Sequence, residues 1–68
     1  MIAIKLNGKK VEIPKEVVTV TCLLDHLSLS ERMVIVEHNR IVLAGEHHDN
    51  AQVRAGDEIE IVHFVGGG

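Results

Sequence analysis

The sequence predicts an α+β fold in which a mixed sheet of four to five strands packs on one main helix. Three observations carry this. Apolar and polar residues alternate over the first fourteen positions and again near the end, the period of a half-buried strand. Between them, Val20, Leu23, Leu24 and Leu27 fall at i, i+3, i+4 and i+7, one stripe of an amphipathic helix. A hairpin, then a helix across one sheet face, then further strands, makes a two-layer sandwich.

Each element has a local cause. Ile2, Ile4 and Leu6 alternate with Ala3 and Lys5, giving the first strand. Asn7-Gly8 follows, a strong hairpin signal because both residues tolerate positive φ. Val11 and Ile13 alternate with Lys10 and Glu12 in the second strand, and Pro14, lacking an N–H, ends it. Thr19 is placed to cap the helix, its hydroxyl accepting from a free first-turn N–H. Cys22 stands where a capping box would need Glu. With about two turns, the helix depends on packing against the sheet. Leu29-Ser30-Glu31 reads as its exit.

Met33-Val34-Ile35-Val36 is a continuous apolar run and reads as a buried strand leading into Glu37-His38-Asn39. Ile41-Val42-Leu43 reads as a short edge strand, Gly45 to Asn50 as a polar loop, and Ala55-Gly56-Asp57 as a turn before the last strand, Glu58 to Val65. The order is β-β-α-β-β-β, and the last strand is expected in mid-sheet beside the first. That arrangement fits a β-grasp, the ubiquitin-like fold, over residues 1–65, with 66–68 as a flexible glycine tail.

Length and composition exclude several functions. Sixty-eight residues make one domain with too little room for a deep substrate pocket, which argues for a module working with partners rather than an enzyme. Cys22 is the only cysteine, so no disulfide forms within the monomer, and Phe64 is the only aromatic, so the core is aliphatic. A net charge of −3 without a basic stripe argues against nucleic acid. The opening apolar run is too short for a signal peptide or membrane span, which makes the cytoplasm the expected location.

His26, His38, His47, His48 and His63 invite a metal hypothesis. A structural zinc site needs four ligands at short paired spacings, usually with thiolates. One cysteine and an adjacent histidine pair do not supply it, so solvated loop histidines and no metal are expected. Cys22 would have a lowered pKa near a helix N-terminus if exposed, yet a cysteine in the first turn of a packed helix reads better as a small, buried apolar residue. No glycine-rich phosphate loop is present, because the glycine triplet opens no helix.

The last strand turns from acidic to apolar. Glu58 and Glu60 share a face with Val62 and Phe64, opposite Ile59, Ile61 and His63. Phe64 is either a partner anchor on that apolar patch or a cover for the core rim. The sequence then ends on Val65-Gly66-Gly67-Gly68. Such a tail is either a frayed or appended terminus, or a stalk without Cβ atoms that carries its carboxylate into a narrow channel.

Asp57-Glu58-Ile59-Glu60-Ile61-Val62-His63-Phe64-Val65-Gly66-Gly67-Gly68, with Ile4-Lys5-Leu6-Asn7-Gly8 and Ile35-Val36-Glu37-His38-Asn39, resembles the sulfur carriers of thiamine biosynthesis, the ThiS family. The resemblance covers nearly the whole chain and implies a carrier rather than a catalyst. It implies that a separate, ubiquitin-activating-like enzyme adenylates the Gly68 carboxylate with ATP, the chain holding no cofactor of its own. Sulfur from cysteine, through a desulfurase persulfide, then gives a thiocarboxylate that thiazole synthase uses as sulfur donor. Gly66 and Gly67 would be the recognised tail, with Val62, Phe64 and Val65 at the partner interface, on a carrier monomeric when alone. A terminal carboxylate, ordinarily titrating near about 3.3–3.7, is ionised at neutral pH and a poor electrophile, which is why activation is needed. Two alternatives share the fold and the tail. One is the small subunit of molybdopterin synthase, whose approach to the tail tends to be proline-rich, unlike His63-Phe64-Val65. The other is a ubiquitin-like protein modifier or plain interaction module.

Overall fold

The computed structural model describes residues 1–30 and 32–63, so expectations that fall on Phe64, Val65, Gly66, Gly67 and Gly68 lie outside the described residues. The chain forms β1 (Ile2–Leu6), β2 (Lys9–Ile13), α1 (Val20–His26), β3 (Val34–His38), β4 (Ile41–Leu43), a single 3-10 turn (Gly45–His47) and β5 (Glu58–His63). The five strands make one sheet in the order β2-β1-β5-β3-β4. β5 lies in the middle, parallel to β1 and antiparallel to β3, the arrangement of a β-grasp.

The first hairpin turns through Asn7 and Gly8, at φ 50° and 84°, the left-handed pair that matches the twist of the flanking strands. The helix of seven residues is too short to persist alone, and its ends are closed by specific bonds. The Thr19 hydroxyl accepts from the Cys22 amide at 3.1 Å. The Val20 and Thr21 amides donate to the carbonyls of Ala51 and His48, so the long loop before β5 satisfies first-turn donors that the helix itself cannot. At the other end Ser28 takes a left-handed conformation, φ 61°. Its amide bonds the Asp25 carbonyl, and that of Leu29 bonds Leu24, which is a Schellman closure with serine in glycine's usual place.

Among the described residues the core is wholly aliphatic. Ile4, Ile13, Val36, Ile59 and Ile61 of the sheet meet Val20, Leu23 and Leu24 of α1, with Val17 and Val53 closing the sides. No polar or charged residue is buried among the described residues.

β3 departs from the buried strand expected of an unbroken apolar run. Only Val36 is fully buried, while Met33 and Ile35 are 75% and 45% exposed. Helix α1 and the loops cover one face of the sheet and leave the other in water, so burial within β3 alternates despite its uniform composition.

Candidate functional site

β5, the strand whose sequence runs on into the glycine triplet, carries Val62 on its outward face. Pairing places Val62 opposite Ile35 and Glu60 opposite Glu37, with Val42 of β4 next to Glu37. Val62 is 57% exposed, and Ile35 and Val42 are also exposed. An apolar pair therefore sits at the end of β5 nearest the tail, beside two carboxylates on neighbouring strands. Like charges directly opposite on a sheet destabilise it. Neither Glu37 nor Glu60 forms an ion pair among the described residues, whereas Glu58 lies 3.7 Å from Lys5 Nζ and 3.6 Å from Arg40 Nε. The uncompensated charge thus stands beside the apolar pair, and the compensated charge stands away from it.

Two polar clamps hold β5 from its two sides. On the β1 side, the Lys5 and Asn7 amides donate to the carbonyls of Asp57 and Ile59, both at 2.9 Å. The next carbonyl in that series, Ile61, receives the Asn7 side-chain Nδ2 at 3.2 Å, and the Ile61 amide donates to Asn7 Oδ1 at 2.7 Å. On the β3 side, Asn39 Oδ1 accepts from the Glu58 amide at 2.9 Å, and its own amide donates to the Glu58 carbonyl at 2.7 Å. Asp57 joins this second clamp, accepting from the Arg54 amide and from Asn39 Nδ2 and lying 2.8 Å from His38 Nε2. Burial pushes the Asp57 carboxyl up, but the bonds from His38, the Arg54 amide and Asn39 outweigh it and hold the group below its ordinary value.

Of the residues singled out in the sequence as site residues, Val62 is the one that falls within the described structure, on the outward face as its phase predicts. Phe64, Val65, Gly66, Gly67 and Gly68 lie outside the described residues. Sequence reasoning missed Ile35, hidden in a run that reads as buried, and the strand-like role of the Asn7 side chain. No local signal marks the latter, since Asn7 and Ile61 are 54 positions apart.

The remaining chemistry is dispersed. Cys22 is half-buried against the core, and the Thr19 hydroxyl and backbone beside it lower its thiol pKa. Among the described residues no three His, Cys, Asp or Glu side chains gather where they could hold a metal ion. One depression of about 370 Å³ lies over Lys5, Glu37, Arg40, Glu58 and Glu60, and another of about 460 Å³ over His38, Asn50, Arg54 and Asp57. Neither brings a nucleophile together with a base. No helix among the described residues is long and apolar enough to cross a membrane.

Comparison with known proteins gives a consistent result. Residues 4–68 match the ThiS family. The chain is 42% identical over 65 residues to the sulfur carrier protein ThiS of Bacillus subtilis (strain 168), covering 96% of this chain and 98% of that one. The crystal structure of the thiamine biosynthesis protein ThiS from Geobacter metallireducens superposes with a TM-score of 0.82 at 35% identity, covering 98% of this chain and all of the other. A solution structure of a thiamine biosynthesis protein from the same organism gives 0.83 at 36% identity, over 98% of this chain and 88% of that one.

Proposed function

The chain belongs to the ThiS family, and from that premise we propose that it is a sulfur carrier of thiamine biosynthesis whose working group is the carboxylate of Gly68. The observation that carries the reading is the family match running through residue 68, the end of the glycine triplet. In this reading a partner enzyme supplies ATP. A Gly68 carboxylate oxygen attacks the α-phosphorus, pyrophosphate leaves, and the acyl-adenylate that results carries AMP as a leaving group. The outer sulfur of a cysteine persulfide on a partner then attacks the acyl carbon and displaces AMP, giving an acyl disulfide. A thiol attacks the cysteine sulfur of that disulfide, is itself left in a disulfide with that cysteine, and releases the thiocarboxylate that donates sulfur to the growing thiazole. The carrier holds no cofactor and performs no bond-making with its own side chains.

Several features support this division of labour. The fold offers an aliphatic core among the described residues and a central strand, β5, whose sequence runs on into the glycine triplet. Gly66 and Gly67 form the thin stalk, since a residue without Cβ fits a channel that excludes all others. Val62, with Phe64 and Val65 beyond it, provides the apolar contact next to that stalk, and Ile35 extends it across to β3. Glu37 and Glu60 favour a partner with basic residues around an apolar patch, because such a surface relieves their mutual repulsion.

The test is the intact mass of the protein after incubation with the adenylating enzyme, ATP and a persulfide donor. Replacement of one oxygen by sulfur, confined to the last residue, is the expected result. Replacing Gly68 with a bulky residue should leave folding intact and abolish adenylation. A tail that never gains sulfur under these conditions would sink the reading.

A further inference from the structure

We propose that Asn7 is a positioning residue whose side chain acts as a one-residue extension of β1, fixing where the C-terminal segment leaves the sheet. β1 ends at Leu6 and β5 runs on to His63, so the β1 side of Ile61 has no strand beside it. The Asn7 side chain occupies that place. The carbonyls of Asp57, Ile59 and Ile61 take donors in succession from the Lys5 amide, the Asn7 amide and Asn7 Nδ2. Asn7 Oδ1 meanwhile accepts the Ile61 amide, so a primary amide reproduces the donor and acceptor of a backbone peptide unit.

The turn that begins at Asn7 makes this possible. A left-handed backbone at φ 50° is one that Asn adopts more readily than most residues, and Gly8 follows at φ 84°. Ile61 is the last buried residue of β5, only one position before exposed Val62. The clamp therefore closes on the final point at which the strand is anchored in the core. Beyond it, β3 pairs with Val62 and His63 through Ile35 and Val34. Ile61 is bonded to Asn7 while its neighbours Glu60 and Val62 pair with Glu37 and Ile35 of β3, so the end of β5 is held by two elements instead of one. Resting on the carrier reading, this gives Asn7 a task in delivering the Gly68 carboxylate, although it lies at the opposite end of the chain.

The experiment compares Asn7→Gly with Asn39→Gly. Both keep a positive φ available, and both remove a side-chain bond to β5, at Ile61 in one case and Glu58 in the other. Amide exchange on the free full-length protein reads the clamp directly. In Asn7→Gly the Ile61 amide should exchange about tenfold faster than the change in global stability accounts for, as loss of ordinary hydrogen bonds predicts. In Asn39→Gly it should not. Asn7→Asp keeps the acceptor for the Ile61 amide and should retain that protection. With the adenylating enzyme and ATP, at a temperature where all variants are folded, Asn7→Gly should lower kcat several-fold with KM little changed, because the docking face is intact and the carboxylate is misplaced. Asn39→Gly should change neither. An Ile61 amide as protected in Asn7→Gly as in the parent overturns the clamp, and an unchanged kcat overturns its role in delivery. Should the parent's tail fail to be adenylated at all, the carrier reading and the delivery role fall together. Ile61 exchange then decides the clamp by itself.

Discussion

Asn7 and Asn39 occupy the same place in the two hairpins of the sheet, each the first residue of its turn and each at a φ near the left-handed minimum, 50° and 51°. Both lean a side chain onto β5, from opposite sides. Their surroundings differ. Asn7 is followed by glycine and bonds only neutral backbone groups, the amide and carbonyl of Ile61. Asn39 is followed by Arg40, forced to φ 72°, and its clamp runs through an ionised carboxylate, Asp57, shared with His38 and the Arg54 amide. The start of the central strand is thus held by a titratable network and its exit by an uncharged amide. The Asn7 clamp itself contains no titratable group, only a side-chain amide and the Ile61 backbone.

The comparison breaks hardest at Asn7. Asn7→Ala should cost about 3 kcal/mol in chemical denaturation, from two lost hydrogen bonds and a left-handed backbone that alanine resists. A loss no greater than that of an ordinary surface substitution would mean that the clamp holds nothing.

Next is the charged side. Asp57→Ala should cost about 2 kcal/mol at neutral pH, since its partners lose a charge-assisted acceptor. The pH dependence has a definite sign. Asp57 titrates below its ordinary value in the folded protein, so the unfolded chain binds its proton more tightly. Its stabilisation is fully present above the unfolded carboxyl pKa of about 3.9 and disappears as pH falls through the lower folded value. Denaturation midpoints measured down into the acid range should fall less steeply for Asp57→Ala than for the parent, whereas Asn7→Gly should leave the slope unchanged. Parallel acid limbs for Asp57→Ala and the parent would place the linkage elsewhere.

Arg40 offers the opposite test, an improvement. Arg40→Gly should raise stability by up to about 1 kcal/mol by releasing a left-handed residue with a side chain, the Glu58 contact being too exposed to offset it. The corresponding change at the helix end, Ser28→Gly, should act in the same direction. A fall in thermal midpoint for both would show that these positions are not strained.

The smallest effect concerns the outward face. Glu60→Lys should stabilise the sheet by about 0.5 kcal/mol, turning a like-charge pair with Glu37 into an opposite one. The same change should weaken adenylation through KM if the acidic pair meets a basic partner surface. A stabilised variant with unaltered KM would remove that pair from the interface.

Much of this molecule is legible from its residues in order. Asn7-Gly8, Pro14 and the Thr19 cap act within a few positions of themselves, so hairpin, strand end and helix start can be read locally. The alternation of Ile59 and Ile61 with Glu58 and Glu60 sets the two faces of β5, and a period-2 pattern cannot slip by one residue without exposing the core. The family resemblance is carried by a contiguous block of sequence and agrees with the match found over residues 4–68.

What tertiary structure alone decided are relations across the sheet. Met33 to Val36 looks uniformly buried because composition reports hydrophobicity, while exposure depends on which face the helix covers. The Glu37 and Glu60 repulsion exists because β3 and β5 lie side by side in one register. Asn7 reads as a turn residue and nothing more until Ile61 arrives beside it. A side-chain amide has no directional preference written into its own neighbourhood, and only the parallel pairing of the first and last strands supplies the partner that gives it a role.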